Sequence, residues 1–282
     1  PEQARNALGI GASLAGGLLR NTGTMTKPMH AGNGARNGVI ATLLAKRGFT
    51  ANQEILEGKG GYCFMFGNAE STGLDGADAD LGEDWQLGRI GLGLKPYPIC
   101  RSTHASIDAM LTLRKEHGLR PEDVEEIICR ICPIHTQFCR FHRPQTAYEG
   151  KFSITYALAT ALRNGKIAIS DFADEKVTEP AVREVLEKVR FEYPEGWGKG
   201  AVDLRTEITV RLKNGEAFAC EVPLPRGEPE NPMTDAELDG KFTDCGRLVL
   251  EEKEVKQALD MVRHIEEVDD LSVLWQLLNK GN

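Results

Sequence analysis

The spacing of apolar positions divides the chain into three stretches. Residues 1 to about 90 read as helical: Val39, Ile40, Leu43 and Leu44 form an apolar stripe, with Arg36, Lys46 and Arg47 on the other side. Gly32, Gly34 and Gly38 lead into and begin that helix; glycine costs stability there, so close backbone approach is expected. Ala12, Ala15, Gly16 and Gly17 in the opening segment also suit close packing against other helices. The Gly/Asp-rich run at 71–85 reads as loop or short turns.

From about 91 to 226 the periods mix. A helix is expected over 104–117, with Ile107, Met110 and Leu111 inward, and a β-rich run over 124–134 after a turn at Pro121 and Glu122. Further helices are expected over 152–165, stopped by Asn164-Gly165, and over 180–189, with Pro180 in the first turn. Residues 205–225 alternate as two strands around Asn214-Gly215, the signal of a type I′ hairpin. Residues 225–232 have the composition of a linker, and Thr234 with Glu237 forms a capping box. The last fifty residues are helical, with Val255, Leu259, Val262 and Ile265 on one face. The expected fold is mixed: a helical part over 1–90, an α+β domain with an antiparallel sheet over 91–226, and a helical return over 227–282.

Composition narrows the function classes. Of 282 residues 41% are apolar and 27% charged, as in ordinary soluble globular proteins. A formal charge of -8 without a Lys/Arg-rich run argues against a nucleic-acid surface. An acidic protein that binds an anion must gather its cations locally, which directs attention to clustered Lys, Arg and His. No apolar run is long enough to span a membrane, and no signal peptide is visible. The seven cysteines, an odd number in a long chain, read as reduced thiols of a cytoplasmic protein. The chain opens without Met and already inside a helix-like pattern, so an upstream part is expected.

Four segments carry candidate chemistry. In 24–38, Lys27 and His30 precede a glycine-rich helix start, whose backbone N–H groups favour anions; the plainer alternative is a surface lysine beside a turn. In "GLGLKPYPICRSTH", Pro96 and Pro98 hold an extended strip that carries Lys95, Tyr97, Cys100, Arg101 and His104. That stiffness lowers the entropy cost of holding side chains ready for a ligand, although a proline-rich connector would look the same. The run Cys129, Cys132, His135, Cys139 and His142 mimics zinc spacing. Cys129 and Cys132 lie an odd number apart in an expected strand and so face opposite ways, which favours buried thiols and exposed histidines, with no metal. Tyr148, Glu149 and Lys151 precede an apolar helix and read equally as its solvated rim. P-loop, nucleophile-elbow, zincin and dinucleotide fingerprints are missing.

Together, "TKPMHAGNGARNGVIATLLAKRGFT", "LEGKGGY", "LKPYPICRSTHASIDA", "GKFSITYALATAL" and "LEEKEVKQALDMVRHIEEVDDLSVL" resemble the MmgE/PrpD family. They lie in order from residue 24 to 274. The resemblance implies an all-helical domain with an inserted α+β lid, and an upstream helical portion that supplies acidic and histidine groups to the pocket. It implies chemistry next to a carboxylate on small di- or tricarboxylates, without an obligatory cofactor, by a homodimer. Lys27 and Lys95 match family pocket lysines, and Arg101 and His104 follow on the lid segment. On this reading Lys27, Lys95 and His104 are catalytic, and His30, Tyr97, Cys100 and Arg101 bind substrate across a cleft. Some decarboxylating members carry a histidine at the position of Cys100, which points away from decarboxylation and toward a 2-methylcitrate dehydratase-like hydro-lyase. An iminodisuccinate epimerase-like isomerase, a cis-aconitate decarboxylase and an inactive anion-binding fragment are the alternatives.

Overall fold

The computed structural model describes residues 1–57, 59–67, 76, 79, 81–83, 85–198 and 203–279, so the 71–85 loop expectation lies largely outside the described residues. The chain forms two compact units, Pro1–Ile90 and Gly91–Asn282.

The first unit holds α1 (Glu2–Ser13), α2 (Thr26–Lys46), α3 (Tyr62–Phe66) and α4 (Gln86–Arg89). Helices α1 and α2 pack through small and amide residues: Asn6 and Gly9 from α1, and Asn37, Ala41 and Ala45 from α2, are buried. A Cβ on Gly9 would come within 2.5 Å of the Ala51 Cβ, so glycine is needed where α1 meets the segment after α2. Asn6 accepts from the Ala51 amide at 3.0 Å, and Asn37 donates to the Leu14 carbonyl at 2.8 Å.

Two expectations fail here. The stripe of Val39, Ile40 and Leu43 is exposed within this unit, because positions two apart on a helix diverge by roughly 200° and the Asn37–Ala41–Ala45 row takes the inward face. Helix α2 also starts at Thr26, which places Gly32, Gly34 and Gly38 inside it; a Cβ at any of them would meet nothing within 4 Å. Pro28 fits the first turn, where an N–H would lack an intrahelical partner anyway.

The second unit begins with a strip, 91–100, that bends over 96–99 and is followed by α5 (His104–His117), β1 (Val124–Ile131), α6 (Pro133–Phe138), α7 (Ala147–Gly150) and α8 (Ile154–Asn164). Then come α9 (Asp174–Val177), α10 (Pro180–Leu186), β2 (Val189–Glu192), β3 (Thr206–Leu212), β4 (Ala217–Val222), α11 (Asp235–Gly246), α12 (Glu252–Arg263) and α13 (Ser272–Leu278). The strand order is β2-β1-β3-β4. Strands β1, β3 and β4 pair antiparallel, but β1 and β2 run parallel, so the sheet is mixed, not antiparallel. A parallel pair needs a long crossover, and 132–188 supply it.

Helix α8 is buried over Ile154–Leu162 and packs on α5, which lies against β3 and β4. Ile107, Met110, Ile127, Leu158, Leu162 and Ile208 anchor this core at 0% exposure. Gly118 and Gly165, both left-handed, close α5 and α8. The β3–β4 turn is not type I′: no residue other than glycine has positive φ among the described residues, so Asn214 stays right-handed and only Gly215 (φ 91°) crosses over.

The linker reading of 225–232 also fails. Leu94 donates to the Gly227 carbonyl at 2.7 Å and Gly227 to the Asn231 carbonyl at 2.8 Å, which ties this turn to the strip. Helix α11 carries the expected capping box between Thr234 and Glu237. On α12, Val255 and Ala258 face inward and Val262 is exposed, as is Ile265 beyond the end of the helix. No described helix is long and apolar enough to cross a membrane.

Candidate functional site

The strip Leu94–Cys100 is pinned at several points. Cys100 donates its amide to the Lys151 carbonyl at 3.1 Å, and Thr103 donates its amide and hydroxyl back to the Cys100 carbonyl. The Tyr97 hydroxyl donates to Asp108 at 2.6 Å, and the Arg226 amide donates to the same carboxylate at 2.7 Å. Burial, with the Asp108 charge behind it, pushes the Tyr97 phenol well above its ordinary value. Burial also raises Asp108, against the pull of its hydrogen bonds. The Arg226 guanidinium in turn binds Glu237, whose carboxyl falls to about 2 through that contact and the α11 cap. One chain of polar contacts therefore joins the strip, α5, the 225–232 turn and α11.

A cavity of about 360 Å³ opens along this strip. Lys95 and Tyr97 line it from the strip, Lys166 from the α8 exit, and Lys241 and Asp244 from α11. Ile167, Ile169 and Leu248 give it an apolar wall. The Lys95 ammonium donates to the Ile99 carbonyl at 3.2 Å, and the Lys241 ammonium to the Lys95 carbonyl at 2.8 Å. Three cations and one acid around a partly apolar space suit an anion with several carboxylates.

His104 lies behind this wall. It is 2% exposed, and its ring stands edge-on to Tyr97 with centroids 5.3 Å apart. Its Nε2 is buried without a hydrogen-bond partner. Burial foremost, helped by Lys95, Arg101 and Lys241, lowers its pKa to about 4 against the pull of the Ile99 carbonyl. His104 is thus a neutral imidazole near pH 7, with one nitrogen uncommitted.

The other sequence candidates are placed differently. The Arg101 guanidinium binds the carboxylate of Glu228, a residue that is 8% exposed. The influence of Cys139, followed by that of Ser102 and Lys95, lowers the Cys100 pKa to about 6 despite burial. Lys27 and His30 belong to the first unit, in the opening turns of α2 rather than before it. Lys27 is exposed and His30 half-buried, with its ring 3.2 Å from where a Gly17 Cβ would stand.

The cysteine–histidine run disperses. Cys129 faces Ser106, Cys139 packs in the core, the His142 ring packs on Phe191, and His135 bonds the Asp203 carbonyl at 2.6 Å. His135 is buried, against the expectation of exposed histidines, because Pro133 starts α6 and turns it inward. Sequence reasoning did not single out Lys166 or Lys241, and met Cys139 only as part of the zinc-like run. The Asn164-Gly165 stop fixes where α8 releases Lys166, but nothing local to Lys241 or Cys139 tells what lies opposite.

Comparison with known proteins adds an independent line. Residues 1–74 match the MmgE/PrpD N-terminal domain and residues 97–267 the MmgE/PrpD C-terminal domain. The chain is 31% identical to the cis-aconitate decarboxylases of Mus musculus and Homo sapiens, over 98% of its own length and 57% of theirs. It is 28% identical to the cis-aconitate decarboxylase of Aspergillus terreus, over 99% of its length and 60% of that protein's. The chain thus spans little more than half the length of these relatives.

Proposed function

This chain belongs to the MmgE/PrpD family, and on that premise we propose that it works as a cofactor-independent lyase on a small tricarboxylate. The observation that carries the proposal is the convergence of Lys95, Lys166 and Lys241 on one cavity with an apolar wall. Removing a proton next to a carboxylate builds negative charge on that carboxylate's oxygens. Ammonium groups held around a water-poor space stabilise this charge as it forms. A neutral base is also needed, and the candidate is His104, kept uncharged by burial with an uncommitted Nε2 and standing behind Tyr97 rather than among the residues that line the cavity.

The preferred reaction is dehydration of the 2-methylcitrate type. A base takes the proton from the carbon beside the carboxylate, the carbanion's electron pair forms the new double bond, and hydroxide leaves the adjacent carbon as water. On the family resemblance Cys100 supports this choice, because the resemblance implies histidine at this position in some decarboxylating members. The second reading is decarboxylation of cis-aconitate, favoured by the names of the relatives. There the carbon–carboxylate bond breaks, carbon dioxide departs, and the carbanion left behind takes a proton. Lys27 and His30 enter the proposal as anion-holding groups of the first unit. A cytoplasmic homodimer is the expected setting.

The deciding experiment incubates the full-length protein separately with 2-methylcitrate and cis-aconitate. Ultraviolet absorbance follows the conjugated product of the first, and released carbon dioxide the second. Turnover of the first alone supports dehydration, and turnover of the second alone replaces it with decarboxylation. No turnover of either removes the lyase reading.

A further inference from the structure

The cavity holds one group that a plain anion site would leave out. Asp244 lines it among Lys95, Lys166 and Lys241. A carboxylate beside three ammonium groups weakens their pull on an anion, so a cavity for carboxylates alone gains nothing from it. Acids on a helix surface ordinarily pair with a cation one turn away, and Asp244 does not. Lys241, one turn earlier on α11, turns its ammonium to the Lys95 carbonyl at 2.8 Å. Arg247, one turn later, is held by Glu252 at 2.8 Å, and the Asp244 charge reaches it only through space. Among the described residues the Asp244 carboxylate has no hydrogen-bond or ion-pair partner, and neither has the Lys166 ammonium.

An ionised carboxylate accepts hydrogen bonds and donates none. A ligand must therefore bring a donor to Asp244 while its own carboxylates go to the lysines. Lys241 and Asp244 lie on one helix face, with Cβ atoms about 5–6 Å apart at this spacing. That separation suits a carboxylate and a hydroxyl on neighbouring carbons of one small molecule. An ammonium is the other donor a carboxylate takes, and charge decides between them. Three lysines against one acid leave the lining positive by two, and a hydroxy-tricarboxylate carries more negative charge than an amino-dicarboxylate. Asp244 is exposed, so a ligand reaches it with no rearrangement of the core.

We propose that Asp244 sets the specificity of this cavity: it accepts a hydrogen bond from the hydroxyl of a hydroxy-tricarboxylate and so selects that ligand over one with the same carboxylates and no hydroxyl. This assignment rests on the tricarboxylate reading of the cavity and adds the group that tells a hydroxylated substrate from a dehydrated one. A ligand without the hydroxyl loses a charge-assisted hydrogen bond and keeps the repulsion between Asp244 and its carboxylates.

The test measures, by titration calorimetry on the full-length protein, the binding of citrate and of tricarballylate, which differ only in the tertiary hydroxyl. Citrate should bind about tenfold tighter. In Asp244→Ala the two affinities should become equal, and Asp244→Asn, which keeps a carbonyl acceptor, should retain part of the preference. Lys166→Met should weaken both anions alike, which places the binding in this cavity. L-Aspartate, an amino-dicarboxylate, should bind less tightly than citrate. Equal wild-type affinities for citrate and tricarballylate would overturn the role of Asp244 and leave the tricarboxylate reading standing. So would a preference that survives in Asp244→Ala, or L-aspartate binding ahead of citrate. Unchanged binding of both anions in Lys166→Met would place them elsewhere and overturn it too. Binding of neither anion would remove the tricarboxylate reading itself, and the role of Asp244 with it.

Discussion

Replacing His104 with Gln should change how the stability of this protein depends on pH. The folded ring titrates near 4, whereas an unfolded histidine titrates near 6.5. Between these values the unfolded chain binds a proton that the folded chain refuses. Stability is therefore highest above pH 6.5 and is lost as pH falls toward 4. At about 1.36 kcal/mol per pH unit, the gap is worth about 3 kcal/mol. Glu237 adds a loss of the same sign at lower pH, because its carboxyl is depressed to about 2, and Asp108, which is raised, works the other way. Both are common to wild type and variant and cancel in the comparison. Urea unfolding followed by circular dichroism, repeated from pH 4 to 8, supplies the free energies. The wild-type minus His104→Gln difference should fall by about 3 kcal/mol on acidification across this window. Parallel profiles would show that His104 is not held neutral by burial, and would remove it as the candidate base.

Three further outcomes follow from the same geometry. Lys95→Ala removes one part-buried hydrogen bond, to Ile99, and should cost about 1 kcal/mol of stability while lowering turnover on the preferred substrate by about a hundredfold or more; equal losses of melting temperature and activity would make Lys95 structural. Lys241→Met should raise KM more than it lowers kcat if that ammonium holds a remote carboxylate, as steady-state kinetics would read. Gly227→Ala would put a Cβ 1.9 Å from the Leu94 carbonyl oxygen at a φ of 92°, so the strip must shift; a loss of roughly 2–5 kcal/mol should appear in thermal melts.

Local sequence rules succeed in this chain where the deciding neighbour is close in sequence. The Gly118 and Gly165 stops, the Thr234–Glu237 box and the core role of Ile107 and Met110 all depend on one or two helical turns. The failures share a different cause. Whether Val39 or Ala41 faces inward on α2 is set by which face lets α1 come close, and an apolar pattern cannot choose between a large-residue row and a small-residue one. The direction of β2 beside β1 depends on a crossover of more than fifty residues. At the β3–β4 turn, Asn214-Gly215 allowed two geometries, and the one with a single left-handed residue formed.

The candidate site shows the same division, with a consequence for how such sites are read. Pro96 and Pro98 announced a stiff strip, and the strip is indeed fixed, yet much of its fixing comes from Asp108, Lys151 and Gly227, far from it in sequence. Crowded reactive residues on one short segment also invited the assumption that they face one ligand. They part instead: Lys95 and Tyr97 line the cavity, His104 stands behind it, Arg101 is taken up by Glu228, and Cys100 packs against the core. The remaining cations, Lys166 and Lys241, come from segments with no signature of their own. A motif of this kind therefore marks a wall rather than a site, and the second wall has to be found from the fold.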